Sequence, residues 1–368
     1  MHGDAELQAL LTGLFAALER SAGEAEAVFS VGREAGGGTP WHVRVDGQLM
    51  MGCDQVGEAL HGLMVHVTQR VVRARDDLLS IHAAGVAKSG AAVVLPGASG
   101  SGKTTLCARL LQGGADYLSD DSLAFDRQAR LIGYPKALGF KVGTWVQFSD
   151  VGLADLDVDR GRQLVWQVPP SRLGASSVTS AEPVAVVVPR FEPHAALRLE
   201  PLPRHLAAAE LLTQVQNLLA FGPAEALEIV GRLTARVSCH SVAYGDSREA
   251  APAVLDLVGM ADGAVAPYEV IPADGRSGPV GQPFPAADVA ALCFEDGAIL
   301  VRTASGEFAT VDRTGALVWP LLDGHRTLES ISAELAPLFA AHPSEIEADL
   351  SRWIVDLAHR GFLVLPPG

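Results

Sequence analysis

The segment Gly97-Ala98-Ser99-Gly100-Ser101-Gly102-Lys103-Thr104 fits the pattern GxxxxGK[ST]. Glycines at this spacing let successive backbone N–H groups turn inward around a phosphate. The helix that follows adds the positive end of its dipole. Lys103 then reaches the β- and γ-phosphates, and the Thr104 hydroxyl is a ligand for Mg²⁺. A strand-like run, Ala91-Ala92-Val93-Val94-Leu95, precedes the loop, and a helical run through Thr104, Thr105 and Leu106 follows it. This is the context in which the pattern binds a nucleotide. ATP is therefore expected on Gly97–Thr105, with Mg²⁺ at Thr104.

A second cluster follows the helix. Tyr117-Leu118-Ser119-Asp120-Asp121 reads as a strand that ends in two carboxylates. Next to a phosphate loop, such a pair divides two tasks: Asp120 holds the metal and Asp121 serves as base for an acceptor hydroxyl. Taken alone, Asp-Asp-Ser also fits a solvated turn. Lysine is scarce: Lys88, Lys103, Lys136 and Lys141 are the only lysines among 28 Lys and Arg residues, and all fall in one stretch. Arg bias in the codons accounts for this, yet a lysine kept in such a chain marks work that the wider Arg fork does poorly. Lys141 and Arg190 are candidate stabilisers of a transferring phosphoryl group, or equally exposed loop charges.

These groups need a scaffold. Ahead of the loop, residues 1–77 read as an α+β region. It holds a helix at Leu7–Leu18, a glycine-rich turn at Gly36–Gly38, a strand near His42–Val45 and a helix at Val56–Arg73. Ile81–Leu95 reads as two strands joined at Lys88-Ser89-Gly90. Beyond Asp116 the apolar run Val184–Val188 and a helix at His205–Ala220 continue an α/β pattern. Residues 259–287 are rich in Gly, Pro and Ala without periodicity and read as a linker. After it come strands in VAALCF, AILVRT and EFATVD, with turns at Asp296-Gly297 and Ser305-Gly306. Helices follow at Gly315–Leu322, Thr327–Phe339 and Ser344–Arg360.

The chain has 368 residues, 48% apolar and 19% charged, enough for two or three full cores. A net charge of −15 argues against a nucleic-acid partner. From Phe284 onward there are twelve Asp and Glu against five Arg and no Lys, the wrong sign for a DNA-reading helix. No apolar stretch nears the roughly 20 residues of a membrane span. The first twenty residues lack the basic start and cleavage site of a signal peptide. Cys53, Cys107, Cys239 and Cys293 are scattered. A cytoplasmic location is expected, without membrane or disulfides.

Ile81-His82-Ala83-Ala84-Gly85, then VVLPGASGSGKTTL, then Asp120-Asp121 resemble the HPr kinase/phosphorylase family. His82 lies 21 residues before Lys103, and Asp121 lies 18 after it. The resemblance spans about 78–260 and is strongest in 81–126. It implies that Asp121 accepts the proton of the substrate hydroxyl, that His82 lies near the transferred phosphate, and that Thr104 binds magnesium. Read without it, His82 is a core or turn histidine. The family's glycine-rich segment with a second metal carboxylate, and its C-terminal substrate motif, have no clear counterpart. The resemblance is to the divergent HPr-kinase-related proteins of peptide-modifying systems, and does not carry over HPr as substrate or the reverse reaction.

The C-terminal unit resembles the PqqD-like fold, which holds leader peptides. The resemblance rests on the strands around Asp296-Gly297, on Thr314–Trp319, on Leu322-Asp323-Gly324 and Arg326-Thr327-Leu328, and on Ala358–Leu363. By that likeness an extended peptide adds to the edge Glu307–Val311, against a wall made by Ser344–Arg360. Leu350, Trp353, Ile354 and Leu357 stand at helical spacing, most of them in the core.

The expected fold class is α/β: an N-terminal α+β extension (1–77), an HPr-kinase-like P-loop catalytic domain (78–258), a linker (259–283) and a winged-helix-like PqqD domain (284–368). The expected function is an ATP- and Mg²⁺-dependent kinase acting on a Ser or Thr hydroxyl of a ribosomally synthesised precursor peptide. Asp121, His82, Lys103 and Arg190 are its catalytic candidates. The alternatives are a small-molecule kinase and a non-catalytic, nucleotide-dependent peptide chaperone. The expected partner is a leader-bearing peptide; self-association into a homo-oligomer stays open.

Overall fold

The computed structural model describes residues 5–16, 18, 26–33, 39–148, 165–260, 265–273 and 282–365. The turn expected at Gly36–Gly38 lies outside them. Contacts divide the chain into two compact units: 1–201, 214–217 and 240–262 form the first, and 202–213, 218–239 and 263–368 the second.

The first unit opens with helix α1 (Ala5–Leu14) and an antiparallel sheet of β1 (Phe29–Arg33), β2 (Trp41–Val45) and β3 (Gln48–Cys53). Helix α2 (Val56–Ala74) follows. Its Ala59 and Leu63 pack on Val43 and Cys53, so the sheet fixes the rotation of this helix. The expected first helix stops four residues early, at Leu14 instead of Leu18.

Three strands come next where two were expected: β4 (Leu79–Ile81), β5 (Ala83–Lys88) and β6 (Ala91–Pro96). His82 sits at the β4–β5 break. Helix α3 (Lys103–Gln112), β7 (Asp116–Ser119), β8 (Leu123–Phe125), β9 (Leu131–Gly133), β10 (Leu138–Lys141), short α4 (Val142–Gln147) and β11 (Val165–Val168) follow. The long β12 (Ser180–Phe191) and β13 (Arg198–Pro201) complete this run.

The main sheet runs β4-β8-β9-β12-β6-β5-β7. Strand β6 lies between β12, parallel to it, and β5, antiparallel. Its Ala92, Val93, Val94 and Leu95 are all fully buried, which is why it reads as a continuous apolar run and not an alternating one. Leu106, Cys107, Leu110 and Leu111 of α3 pack on that sheet.

The expected helix His205–Ala220 is broken. Helix α5 (Arg204–Thr213) ends, 214–217 run as an irregular segment, and α6 (Leu218–Phe221) and α7 (Pro223–Arg236) resume. The cause of the break is distant in sequence. Asn217 Oδ1 accepts from Ser80 N–H, Asn217 Nδ2 donates to Leu78 O, and Gln216 N–H donates to Ser80 O. These bonds to β4 compete with helix continuation. Strand β14 (Ser238–Tyr244) and helix α8 (Ser247–Asp256) close the first unit.

The second unit is built on the sheet β15 (Tyr268–Ile271), β17 (Val289–Phe294), β18 (Gly297–Arg302), β19 (Phe308–Asp312), with a small pair of β16 (Phe284–Pro285) and β20 (Leu363–Val364). Three helices follow the sheet: α9 (Arg313–Val318), α10 (Leu328–Phe339) and α11 (Pro343–His359). Val289, Ala291, Ala298 and Leu300 face them in one core. Ala290, Leu292, Ile299 and Val301 are equally buried on the other face, where α5 and α7 pack on the sheet. Both faces of β17 and β18 are covered, again matching their unbroken apolar character.

Two expectations are corrected here. The segment read as a linker contains β15, whose Tyr268 and Val270 pair with Phe294 and Leu292 of β17. Alternation over only four residues between Pro267 and Pro272 was too short to register. Helices α5 and α7, read as part of the loop-bearing region, group with the C-terminal sheet. Among the described residues no helix is long and apolar enough to cross a membrane.

Candidate active site

Residues 97–102, the candidate phosphate loop, leave the end of β6 and enter α3. Gly102 has φ +96°, and a Cβ there would run into the Tyr244 hydroxyl, so only glycine fits. The loop is braced from behind: Tyr244 Oη donates to Gly102 O at 3.1 Å, and Phe191 N–H donates to Ser101 O at 3.1 Å. The Lys103 ammonium, 5% exposed, donates to Gly97 O and, at 3.1 Å, to Ala98 O. Thr105 Oγ1 lies 2.8 Å from Thr144 Oγ1, which ties the first turn of α3 to α4.

The acidic pair sits on the turn after β7. The Ser119 hydroxyl shapes that turn by accepting from the N–H groups of Asp121 and Ser122. The two carboxylates then diverge. Asp120 is buried, at 4% exposure, and accepts from Tyr117 Oη at 3.0 Å, Lys136 Nζ at 2.9 Å and Gly139 N–H at 3.0 Å. Asp121 is open to the cavity. Its Oδ1 lies 3.0 Å from His82 Nδ1, and its Oδ2 lies 3.8 Å from Lys136 Nζ.

Burial pushes the Asp121 carboxyl up, but the His82 hydrogen bond and the charges of Lys136, His82 and Lys103 outweigh it. They hold the group well below the ordinary carboxylate range. Lys136 is 5% exposed. Its burial disfavours the charge, yet Asp120 and Asp121 prevail and raise its pKa, so it remains an ammonium. His82 is fixed through its backbone, whose N–H donates to Gln214 O at 2.7 Å. The irregular segment that interrupts the helix thus also seats this histidine.

Ser99, Gly100, Gly102, Lys103, Thr104, Thr105, Asp120, Asp121, His82, Lys136 and Lys141 line one cavity of about 420 Å³. Lys141 Nζ donates to Ser99 Oγ at 2.6 Å, against the loop. Arg190 is not brought in. It is exposed at the end of β12, and its neighbour Phe191 lines the cavity instead. Lys136 is the main cavity group absent from the catalytic and metal-binding residues expected from sequence, although the scarcity of lysine marked it. Three of the four lysines meet here, and Lys88 does not. His61, Met64 and Val65 of α2 also reach the cavity, from a region to which the sequence assigned no role.

Among the described residues no group of three or more His, Cys, Asp or Glu could by itself enclose a metal. Mg²⁺ at a nucleotide needs only one or two protein oxygens, because phosphates and water complete its shell. Thr104 and the acidic pair meet that requirement. Asp120 already uses three of the roughly four acceptor positions of a carboxylate, which limits it to one further contact.

In the second unit, β19 lies at the edge of its sheet. Leu350, Ile354 and Leu357 of α11 are core residues, and Trp353 is half-buried against them. Val355 on the same helix, 43% exposed, and Leu317, 46% exposed, leave apolar surface open.

Coenzyme PQQ synthesis protein D (PqqD) is the family that matches, over residues 297–363, from β18 to the first residue of β20. Residues 297–363 thus form a PqqD domain within the second unit. Among solved structures the chain is similar to the Hpr(Ser) kinase/phosphatase from Coxiella burnetii, with 13% identity and a TM-score of 0.24, covering 49% of this chain and 94% of that one. So low a score fixes neither fold nor function. No curated protein matches the chain.

Proposed function

We propose that the chain is an ATP- and Mg²⁺-dependent kinase that phosphorylates a Ser or Thr hydroxyl of a ribosomally synthesised precursor peptide held by its PqqD domain. The observation that carries this reading is the meeting of the phosphate loop, Lys136, Lys141 and the Asp121–His82 pair in one cavity. A motif that only binds nucleotide has no need of a paired carboxylate and histidine beside the loop to orient a nucleophile.

In this reading the loop N–H groups and Lys103 hold the β- and γ-phosphates, and Lys141 and Lys136 absorb charge on the transferring group. Thr104 and Asp120 would hold Mg²⁺, which would supply charge neutralisation. Asp121 accepts the hydrogen bond of the acceptor hydroxyl and orients its oxygen, with His82 fixing the carboxylate. A carboxylate held this low is a weak base, so it takes the proton late. Phosphoryl transfer through a loose transition state tolerates that.

The PqqD domain supports the peptide half of the reading. An extended segment paired with β19 raises the local concentration of its own hydroxyl-bearing portion. The low basicity of Asp121 also favours a second reading, a nucleotide-dependent peptide chaperone that transfers no phosphate. Comparing the full-length precursor encoded nearest the gene with its leaderless form tests the proposal. Turnover should be far faster on the full-length peptide at low concentration and converge at high concentration. Equal rates at all concentrations would remove the leader from the account.

A further inference from the structure

The cavity has two chemically different sides. One holds the phosphate loop, the lysines and the Asp121–His82 pair. The other is made by α2 and β11. His61, Met64 and Val65 stand at i, i+3 and i+4 and share a helix face, while Val165 and Gln167 share a strand face. Gln167 Nε2 lies 3.4 Å from His61 Nδ1 and links the two elements.

This wall offers nothing to a phosphate, since none of its five residues carries a fixed positive charge. It offers an apolar surface with one polar pair. His61 lines the same cavity as Lys136, Asp121 and Lys141, and burial with the charges of the two lysines pushes its imidazole down. A neutral ring whose Nδ1 accepts from the Gln167 amide presents Nε2 as a donor. That donor suits the oxygen of a peptide carbonyl or hydroxyl beside Asp121.

We propose that the α2–β11 wall is the acceptor subsite, seating the hydroxyl-bearing residue and an adjoining apolar side chain of the peptide, with His61 as its positioning residue. The inference rests on the kinase reading. It commits to the acceptor over the nucleotide base because the wall lines the same cavity as Asp121, beside which the hydroxyl must lie for transfer, and pairs its apolar face with a hydrogen-bonding imidazole.

The test uses the full chain, a fluorescent ATP analogue and the precursor peptide encoded nearest the gene. For His61→Ala and Val65→Asp, the KM for the peptide should rise about tenfold, the loss of one hydrogen bond or of a small apolar contact. The dissociation constant of the ATP analogue should stay within about twofold of wild type. Val65 is 38% exposed, so its substitution keeps the test alive if His61→Ala does not fold. An unchanged peptide KM, or weakening confined to the nucleotide, overturns the subsite. Nucleotide binding by the wild type with no phosphate transfer at all overturns the kinase reading itself, and the two failures are distinct.

Discussion

His82 Nδ1 stands 3.0 Å from Asp121 Oδ1 and 2.8 Å from the Asp121 backbone oxygen, although the two residues are 39 positions apart. Two separate devices create the contact. Segment 214–217 holds the backbone at His82, and the Ser119 hydroxyl fixes the turn that carries Asp121. The pair is thus positioned from both sides, the preorganisation that the proposed phosphoryl transfer would need.

Asp121→Asn keeps the shape of the side chain and removes its charge. Phosphate transfer should fall at least about a hundredfold, the usual range for a lost proton acceptor, while the affinity for an ATP analogue changes little. Fully retained transfer would end the assignment.

The His82 contact also sets an acid limit. The folded-state carboxyl of Asp121 lies below its unfolded value. Its stabilising contribution is therefore present above the unfolded carboxyl range and is lost as pH falls towards the folded value. His82→Gln should move the carboxyl back up, so the acid midpoint of unfolding followed by circular dichroism shifts to higher pH. An unmoved midpoint would show that the pair does not hold the carboxylate.

Lys136→Met strands the carboxylate of Asp120 in the interior with two donors left. A cost of about 3–5 kcal/mol is expected for removing one member of a buried pair, read as a drop in the denaturant midpoint. Adding Asp120→Asn should restore part of that loss, because the unpaired charge goes with it.

Gly102→Ala places a side chain where φ is +96° and where the Tyr244 hydroxyl stands. The backbone term alone is about 1–2 kcal/mol. Binding of an ATP analogue, followed by titration, should weaken more than tenfold. Tyr244→Phe in the same chain should recover only part of it, since it relieves the contact and not the backbone.

A fragment of 284–368 should not behave as a folded monomer. Ala290, Leu292, Ile299 and Val301 would lose their cover from α5 and α7, and the sheet would lose β15. Dye binding to exposed apolar surface and aggregation on gel filtration are the expected outcomes. A cooperative, monomeric fragment would contradict the two-faced core.

The parts of this chain legible in the sequence are those set by local chemistry. The strand–loop–helix arrangement around 97–104 is legible because its glycines, its lysine and its flanking strand and helix are contiguous. The three C-terminal helices and the β17–β18–β19 strands were placed within a few residues, because their apolar spacing and turn residues agree. What stayed hidden depends on distant partners. The break after Thr213 is invisible in an alanine- and leucine-rich run, because its cause is hydrogen bonding to β4. The role of α2 escaped because His61, Met64 and Val65 read as an ordinary amphipathic face. Arg190 was a charge at the right place in sequence and the wrong place in space.

The most direct test is to incubate the full chain with ATP, Mg²⁺ and the precursor peptide encoded nearest its gene, and to weigh the peptide by mass spectrometry. The account predicts one added phosphate on a Ser or Thr with the wild type and none with Asp121→Asn. Peptide and nucleotide both bound by the wild type, with the peptide's mass unchanged, would contradict it.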